Sequence, residues 1–97
     1  MKLYVIYDSV VKKFMNPFLM NNDEEAKRAF TQAVNSNQNT TVVINYRDMQ
    51  LFGLGDYDEN SGVITSHVYH VINGTQVKEE PKPFATIDVP TNSTEGE

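Results

Sequence analysis

A chain of 97 residues allows one domain with a modest core and little surplus for a deep catalytic cleft. It contains no cysteine, which excludes disulfides, thiolate metal sites and cysteine nucleophiles and fits a reducing compartment. The net charge of −5 is unevenly spread, +2 over residues 1–47 and −7 over residues 48–97. Overall charge therefore does not steer the protein to nucleic acid, and only the N-terminal half offers a basic face.

Lys2-Leu3-Tyr4-Val5-Ile6-Tyr7-Asp8 reads as a strand with apolar side chains on both faces. That pattern predicts a strand covered on both sides, or packed on one and used for contact on the other. Met1-Lys2-Leu3 leads into this strand rather than into a signal peptide, and no apolar run reaches the length of a membrane span, so a soluble, cytosolic protein is expected. Asp8-Ser9 is a turn, Val10 to Met15 a short extended segment, and Asn16-Pro17 a second turn. Phe18-Leu19-Met20 is expected to be buried and to carry the chain across the core.

A helix is predicted over Asn22 to Ser36. Asn22 is a good N-cap, and Glu25 three residues on makes a capping box. Asp23, Glu24 and Glu25 suit the positive end of the helix dipole. Ala26, Phe30, Ala33 and Val34 form one apolar stripe, and Glu24 and Arg28 are spaced for an ion pair. Lys27 and Arg28 are most simply a solvated helix face. The polar run Asn35-Ser36-Asn37-Gln38-Asn39 ends the helix.

Thr40 to Tyr46 has strong β character, as a strand or an extended arm. The stretch Gln50–Tyr57, a turn at Asp58-Glu59-Asn60-Ser61-Gly62, and Val63–Tyr69 reads as a β-hairpin. Gly53 and Gly55 share one face of its first strand. They leave a gap that a helix, another backbone, a flat ligand or simply a large neighbouring side chain can fill. Asn73-Gly74 between His67–Ile72 and Thr75-Gln76-Val77 predicts a further hairpin. The sum is an α+β fold: one amphipathic helix packed on a mostly antiparallel sheet, with a C-terminal β-meander. Residues 1–80 are expected to form the domain, and residues 81–97, with Pro81, Pro83 and Pro90, a flexible tail.

Catalytic signals are weak. His67 and His70 are three apart on a strand and point to opposite faces, which does not suit a shared metal. Asp56, Asp58 and Glu59 lack the glycine and distal glutamate positions of a calcium loop and read as a solvated turn. No serine sits in a nucleophile elbow and no phosphate-binding glycine loop occurs. An enzyme is not expected, and no cofactor or metal is implied. What remains is aromatic rings beside cations: Lys2, Tyr4, Lys12, Lys13, Phe14, Tyr46 and Arg47. Single-stranded nucleic acid is bound by such pairs, although most of these rings also suit a core.

The order of these features resembles one family. Tyr4-Val5-Ile6-Tyr7-Asp8 precedes Asn16-Pro17-Phe18, then Asn22-Asp23-Glu24-Glu25-Ala26-Lys27-Arg28-Ala29-Phe30. Next comes Asp48-Met49-Gln50-Leu51-Phe52-Gly53-Leu54-Gly55-Asp56-Tyr57-Asp58 with Ser61-Gly62-Val63-Ile64. Over residues 3–65 this is similar to the small nonstructural protein of gokushoviruses, microviruses with circular single-stranded DNA genomes. The resemblance implies a DNA-binding protein of the host bacterial cytoplasm that helps the switch to single-strand synthesis and packaging. It brings no catalytic residues. The expected partners are single-stranded DNA, a viral or host replication or packaging protein, and further copies of the chain, with no membrane. The alternative is a homodimeric protein–protein adaptor that does not touch DNA.

Overall fold

The computed structural model describes residues 1–79. The tail expected over residues 81–97 lies outside them. The elements are β1 (Lys2–Asp8), β2 (Lys13–Phe14), β3 (Phe18–Met20), α1 (Asp23–Val34), α2 (Thr41–Ile44), a 3-10 turn (Tyr46–Asp48), β4 (Met49–Tyr57), β5 (Ile64–Asn73) and α3 (Gly74–Val77). The strands make one antiparallel sheet in the order β2-β1-β4-β5, with β3 on the same side of β1 as β2. The α+β architecture is as the sequence predicts.

β2 and β3 act as one interrupted edge strand. Phe14 lies opposite Tyr7 and Phe18 opposite Tyr4, so the register slips by one residue between them. Met15 N still donates to Ile6 O at 2.8 Å, and Pro17, which has no N–H, stands in the gap. Phe18–Met20 therefore runs along β1 instead of crossing the core, and Leu19 is exposed.

Directly opposed residues of an antiparallel pair share a face. Tyr4 faces Gly53, Ile6 faces Leu51, and Asp8 faces Met49 on the side that carries α1. Tyr4, Ala26, Phe30, Val34, Met49 and Leu51 close the core there. The stripe predicted for α1 is the buried one, with Ala33 only half-buried. Val5 is buried too but lies outside this cluster, opposite Phe52 on the other face.

Local chemistry sets the helix ends with two differences from expectation. Asn22 Oδ1 accepts from Glu25 N at 2.9 Å, as an N-cap should. Glu25 Oε1, however, accepts from Asn21 N at 3.1 Å rather than from Asn22, so the return half of the box is made one residue earlier. Glu24 pairs with Lys27 at 3.0 Å, one turn position short of Arg28. At the far end Asn35 Nδ2 donates to Thr31 O and Val77 O, each at 2.9 Å, and Asn35 Oδ1 accepts from Glu79 N at 2.8 Å. This one side chain pins α3 to the end of α1.

Two β expectations are corrected. Thr40–Tyr46 is not a strand: Thr40 Oγ1 caps α2 by accepting from Val43 N at 3.3 Å, and a 3-10 turn follows. A seven-residue strand would span about 23 Å, whereas α2 and the 3-10 turn compress the link between α1 and β4. Tertiary closure overrides β propensity here, with Val42 and Tyr46 packed on the core. Asn73-Gly74 likewise opens α3 instead of a hairpin, and the meander ends at β5. Asn73 N donates to Gln76 Oε1 at 2.8 Å, which favours a helical turn. Gly74 is needed because a Cβ there would lie 2.1 Å from Tyr46 O.

The predicted hairpin is present as β4 and β5. Its turn is closed by Gly62 N donating to Asp58 O at 2.8 Å, with Gly62 at φ +77°. The gap at Gly53 is filled by the Tyr69 ring of the neighbouring strand, as the simpler reading held: a Cβ would stand 2.2 Å from Tyr69 Cζ. Gly53→Ala is expected to displace that ring and to destabilise the domain by about 1–3 kcal/mol. Urea unfolding measures this. Its cost should fall in a Tyr69→Ser background, where the ring is gone.

Candidate nucleic-acid interface

Among the described residues, α1 covers one face of the sheet and the other is left open. On it Tyr7 and Phe14 sit with ring centroids 4.5 Å apart. Phe52 lies 5.7 Å from Tyr7 and 5.9 Å from Phe14, edge-on to both. His70 continues the row, 5.5 Å from Phe52. The row thus crosses all four strand positions of the sheet, β2-β1-β4-β5. Phe14 is 54% exposed and Val68, near His70, is 57% exposed. The outward positions flanking the row, Val5, Gln50 and Leu54, carry no carboxylate.

The seven residues predicted from sequence do not form one site. Lys12, Lys13 and Phe14 do come together, in and after the turn that follows β1. Asp8 Oδ1 shapes that turn by accepting from Val10 N at 3.0 Å and Val11 N at 3.3 Å. Lys12 takes the left-handed conformation at φ +60°, which exposes its side chain at the rim. Lys13 pairs with Asp8 and so leaves β2 on the side opposite to Phe14. Ser9 N donates to Asp48 O at 2.9 Å, which brings this turn beside the 3-10 turn and Arg47.

Arg47 and Tyr46 are occupied with each other. The Arg47 guanidinium stands 5.0 Å from the Tyr46 ring centre, and Lys78 Nζ stands 4.9 Å from it. Lys78 also donates to Val34 O at 3.3 Å, at the negative end of α1. Lys2 is at the other end of β1, about 20 Å from the turn, in a 2.9 Å ion pair with Asp56. That pairing raises the Lys2 ammonium above its ordinary pKa.

Tyr4 is completely enclosed and presents no ring to a ligand. Its hydroxyl donates to Asp23 Oδ1 at 2.5 Å, and the Tyr69 hydroxyl donates to the same oxygen at 2.8 Å. Those two hydrogen bonds, Tyr4's first, hold the Asp23 carboxyl below its usual pKa. Burial, then the hydrogen bond to Asp23, pushes the Tyr4 phenol far above its own. Tyr7, Phe52 and His70 are the ring partners that sequence reasoning left out. The signal available was strand parity, since Tyr7 shares a face with Val5 and Phe52 alternates with Leu51.

Asp58 Oδ1 accepts from Asn60 N at 2.9 Å in an exposed turn, which lowers its pKa. The His67 ring lies tilted 5.3 Å from that of Tyr69 while His70 meets Asn73 Oδ1 at 2.7 Å, so the two imidazoles have separate partners. Among the described residues no cluster of three or more His, Cys, Asp or Glu side chains is placed to hold a metal ion. No described helix is long and apolar enough to cross a membrane.

A small α+β domain with one covered and one open, aromatic sheet face is the class these features define. The sequence profile of the family described as "Phage ORF5 protein" matches residues 1–77, and the chain belongs to that family of phage proteins. The match ends at Val77, the last residue of α3. No curated protein and no solved structure matches the chain.

Asp23 gives a pH-dependent contribution to stability. Its pKa in the folded state lies below the unfolded value, so the contribution is complete above the unfolded pKa, near 4, and is lost as pH falls through the folded value. Asp23→Ala is expected to cost about 2 kcal/mol at pH 7. The cost should shrink steadily as urea midpoints are compared from pH 5 downward.

Proposed function

We propose that this phage protein binds single-stranded DNA on the open sheet face. In the setting implied by its resemblance to gokushovirus nonstructural proteins, it regulates viral DNA replication or the switch to single-strand synthesis and packaging. The observation that carries the reading is the row Phe14–Tyr7–Phe52–His70, with ring neighbours 4.5 to 5.9 Å apart and no carboxylate at the flanking positions Val5, Gln50 and Leu54. Exposed aromatic rings on a sheet are stacking platforms for unpaired bases, and stacking accepts any base. Lys12 at the rim supplies a phosphate contact, Lys13 adds positive potential from the other face of the same edge strand, and Arg47 extends the same end of the molecule. Tyr4 and Tyr46 drop out of the site, because one is enclosed and the other is covered by cations.

The acidic balance of the chain limits affinity rather than forbidding binding. The acids Asp56, Asp58 and Glu59 lie at the β4–β5 turn, at the opposite end of the sheet from Lys12 and Lys13. A protein adaptor is the second reading. It is favoured by the exposed apolar side chains Leu19 and Val68, which stacking on bases does not require.

The test is titration of a fluorescent single-stranded oligonucleotide at several salt concentrations. Phe14→Ala should weaken binding by about ten-fold, the loss of one stacked base. The Lys12→Ala, Lys13→Ala double variant should weaken binding to every sequence and flatten the slope of log K against log salt by about 0.7 or more. Absence of binding by the parent at low salt would transfer the open face to the adaptor reading.

A further inference from the structure

Among the described residues, strand β5 is an open edge. Among the described residues it pairs with β4 alone, so its ten residues present one row of N–H and C=O groups to solvent. The opposite edge is protected in the usual ways: β2 and β3 are short, Pro17 interrupts them, and Lys13 stands on the strand. β5 has neither charge nor proline. Its sequence, Ile-Thr-Ser-His-Val-Tyr-His-Val-Ile-Asn, holds no Asp, Glu, Lys, Arg or Pro. Ile64 and Val68 are more than half exposed on it.

We infer that β5 pairs antiparallel with β5 of a second copy, joining two sheets into one. Three observations favour a second copy as the occupant. An uncharged strand lets two copies of this acidic chain approach without bringing like charges together. β5 is also coiled by two bulges against β4, one where His67 and Val68 oppose Leu54 and one at Val71. A straight partner strand cannot follow that coil, whereas an identical one can. The bulges fall on either side of Tyr69, so an antiparallel pair centred there sets each bulge against the other copy's.

The two-fold axis then runs perpendicular to the sheet and preserves its faces. Both α1 helices lie on one side. On the other side the two aromatic rows meet end to end through His70, giving a platform twice the length of one. The doubled platform matters only if the nucleic-acid reading holds; the pairing itself does not depend on it.

The experiment is the solution mass of the full chain by light scattering at high micromolar concentration, at low and raised salt. The expected result is twice the 11.0 kDa chain mass, with pairing strengthened by salt because screening relieves repulsion between two acidic copies. Val68→Lys places cations close across the axis and should weaken pairing about ten-fold or more, with the far-ultraviolet circular dichroism unchanged. Mixing it with Val68→Glu should restore the dimer. Val10→Lys, equally exposed but near the opposite edge, should leave the mass as it is. A monomer at every salt concentration overturns the proposal, and so does a dimer indifferent to Val68→Lys. A dimer that shifts no oligonucleotide leaves the pairing standing and removes the nucleic-acid reading alone.

Discussion

One carboxylate oxygen organises this domain. Asp23 Oδ1 takes the hydroxyls of Tyr4 from β1 and Tyr69 from β5, two strands separated in the sheet by β4. The two tyrosines reach it from either side of Gly53, whose missing side chain is the space the Tyr69 ring fills. Asp23 is also the first residue of α1, so the same contact sets where the helix begins and how it lies on the sheet. A charged acceptor with two short donors is stronger than neutral pairs, and its negative charge sits where the helix dipole favours it.

From that anchor follows an asymmetric molecule. The twelve-residue α1, with α2, the 3-10 turn and α3 beside it, closes one face of the sheet, and among the described residues the other is left to its own aromatic side chains. Val5 shows how far this goes, being 1% exposed on the face opposite α1 with no described helix above it. The interruption at Met15–Pro17 adds a second irregularity. It leaves a shallow apolar groove of about 240 Å³ between α1 and the edge strand, lined by Ile6, Phe18, Met20, Ala29, Phe30 and Ala33. Small domains lack the elements to cover every surface, and here the uncovered parts are grouped rather than scattered.

Much of the fold was legible in the sequence because periodicity and turn chemistry agreed. The helix over Asp23–Val34 announced itself through Asn22 and its apolar stripe, and the hairpin through Gly62 in a polar turn followed by the β-prone run Val63–Tyr69. Misreadings arose where the decisive contact is distant. Val42-Val43-Ile44 has β character, yet Thr40 caps a helical turn there. Asn73-Gly74 is a strong hairpin signal, yet Gly74 is present because the backbone at Tyr46 passes close by, and nothing local to residue 74 reports that. The candidate site was half legible. Lys12, Lys13 and Phe14 are neighbours in sequence as in space, but proximity of rings to cations along the chain could not separate Tyr4, which points to the core, from Tyr7, which points out.

The central strand pair also dictates when the domain can form. β1 begins at the second residue, and its main partner is β4, so that Lys2 lies opposite Asp56. Tyr4 finds Asp23 nineteen residues on, but that carboxylate gains its second donor only once Tyr69 is in place. Contacts this far apart carry a large loop-closure cost before they return any stabilisation. During synthesis the first strand therefore waits, unpaired on one side, until the β4–β5 hairpin has emerged. Structure arrives late and together, and an incomplete chain that stops before the hairpin has no sheet core to fold around.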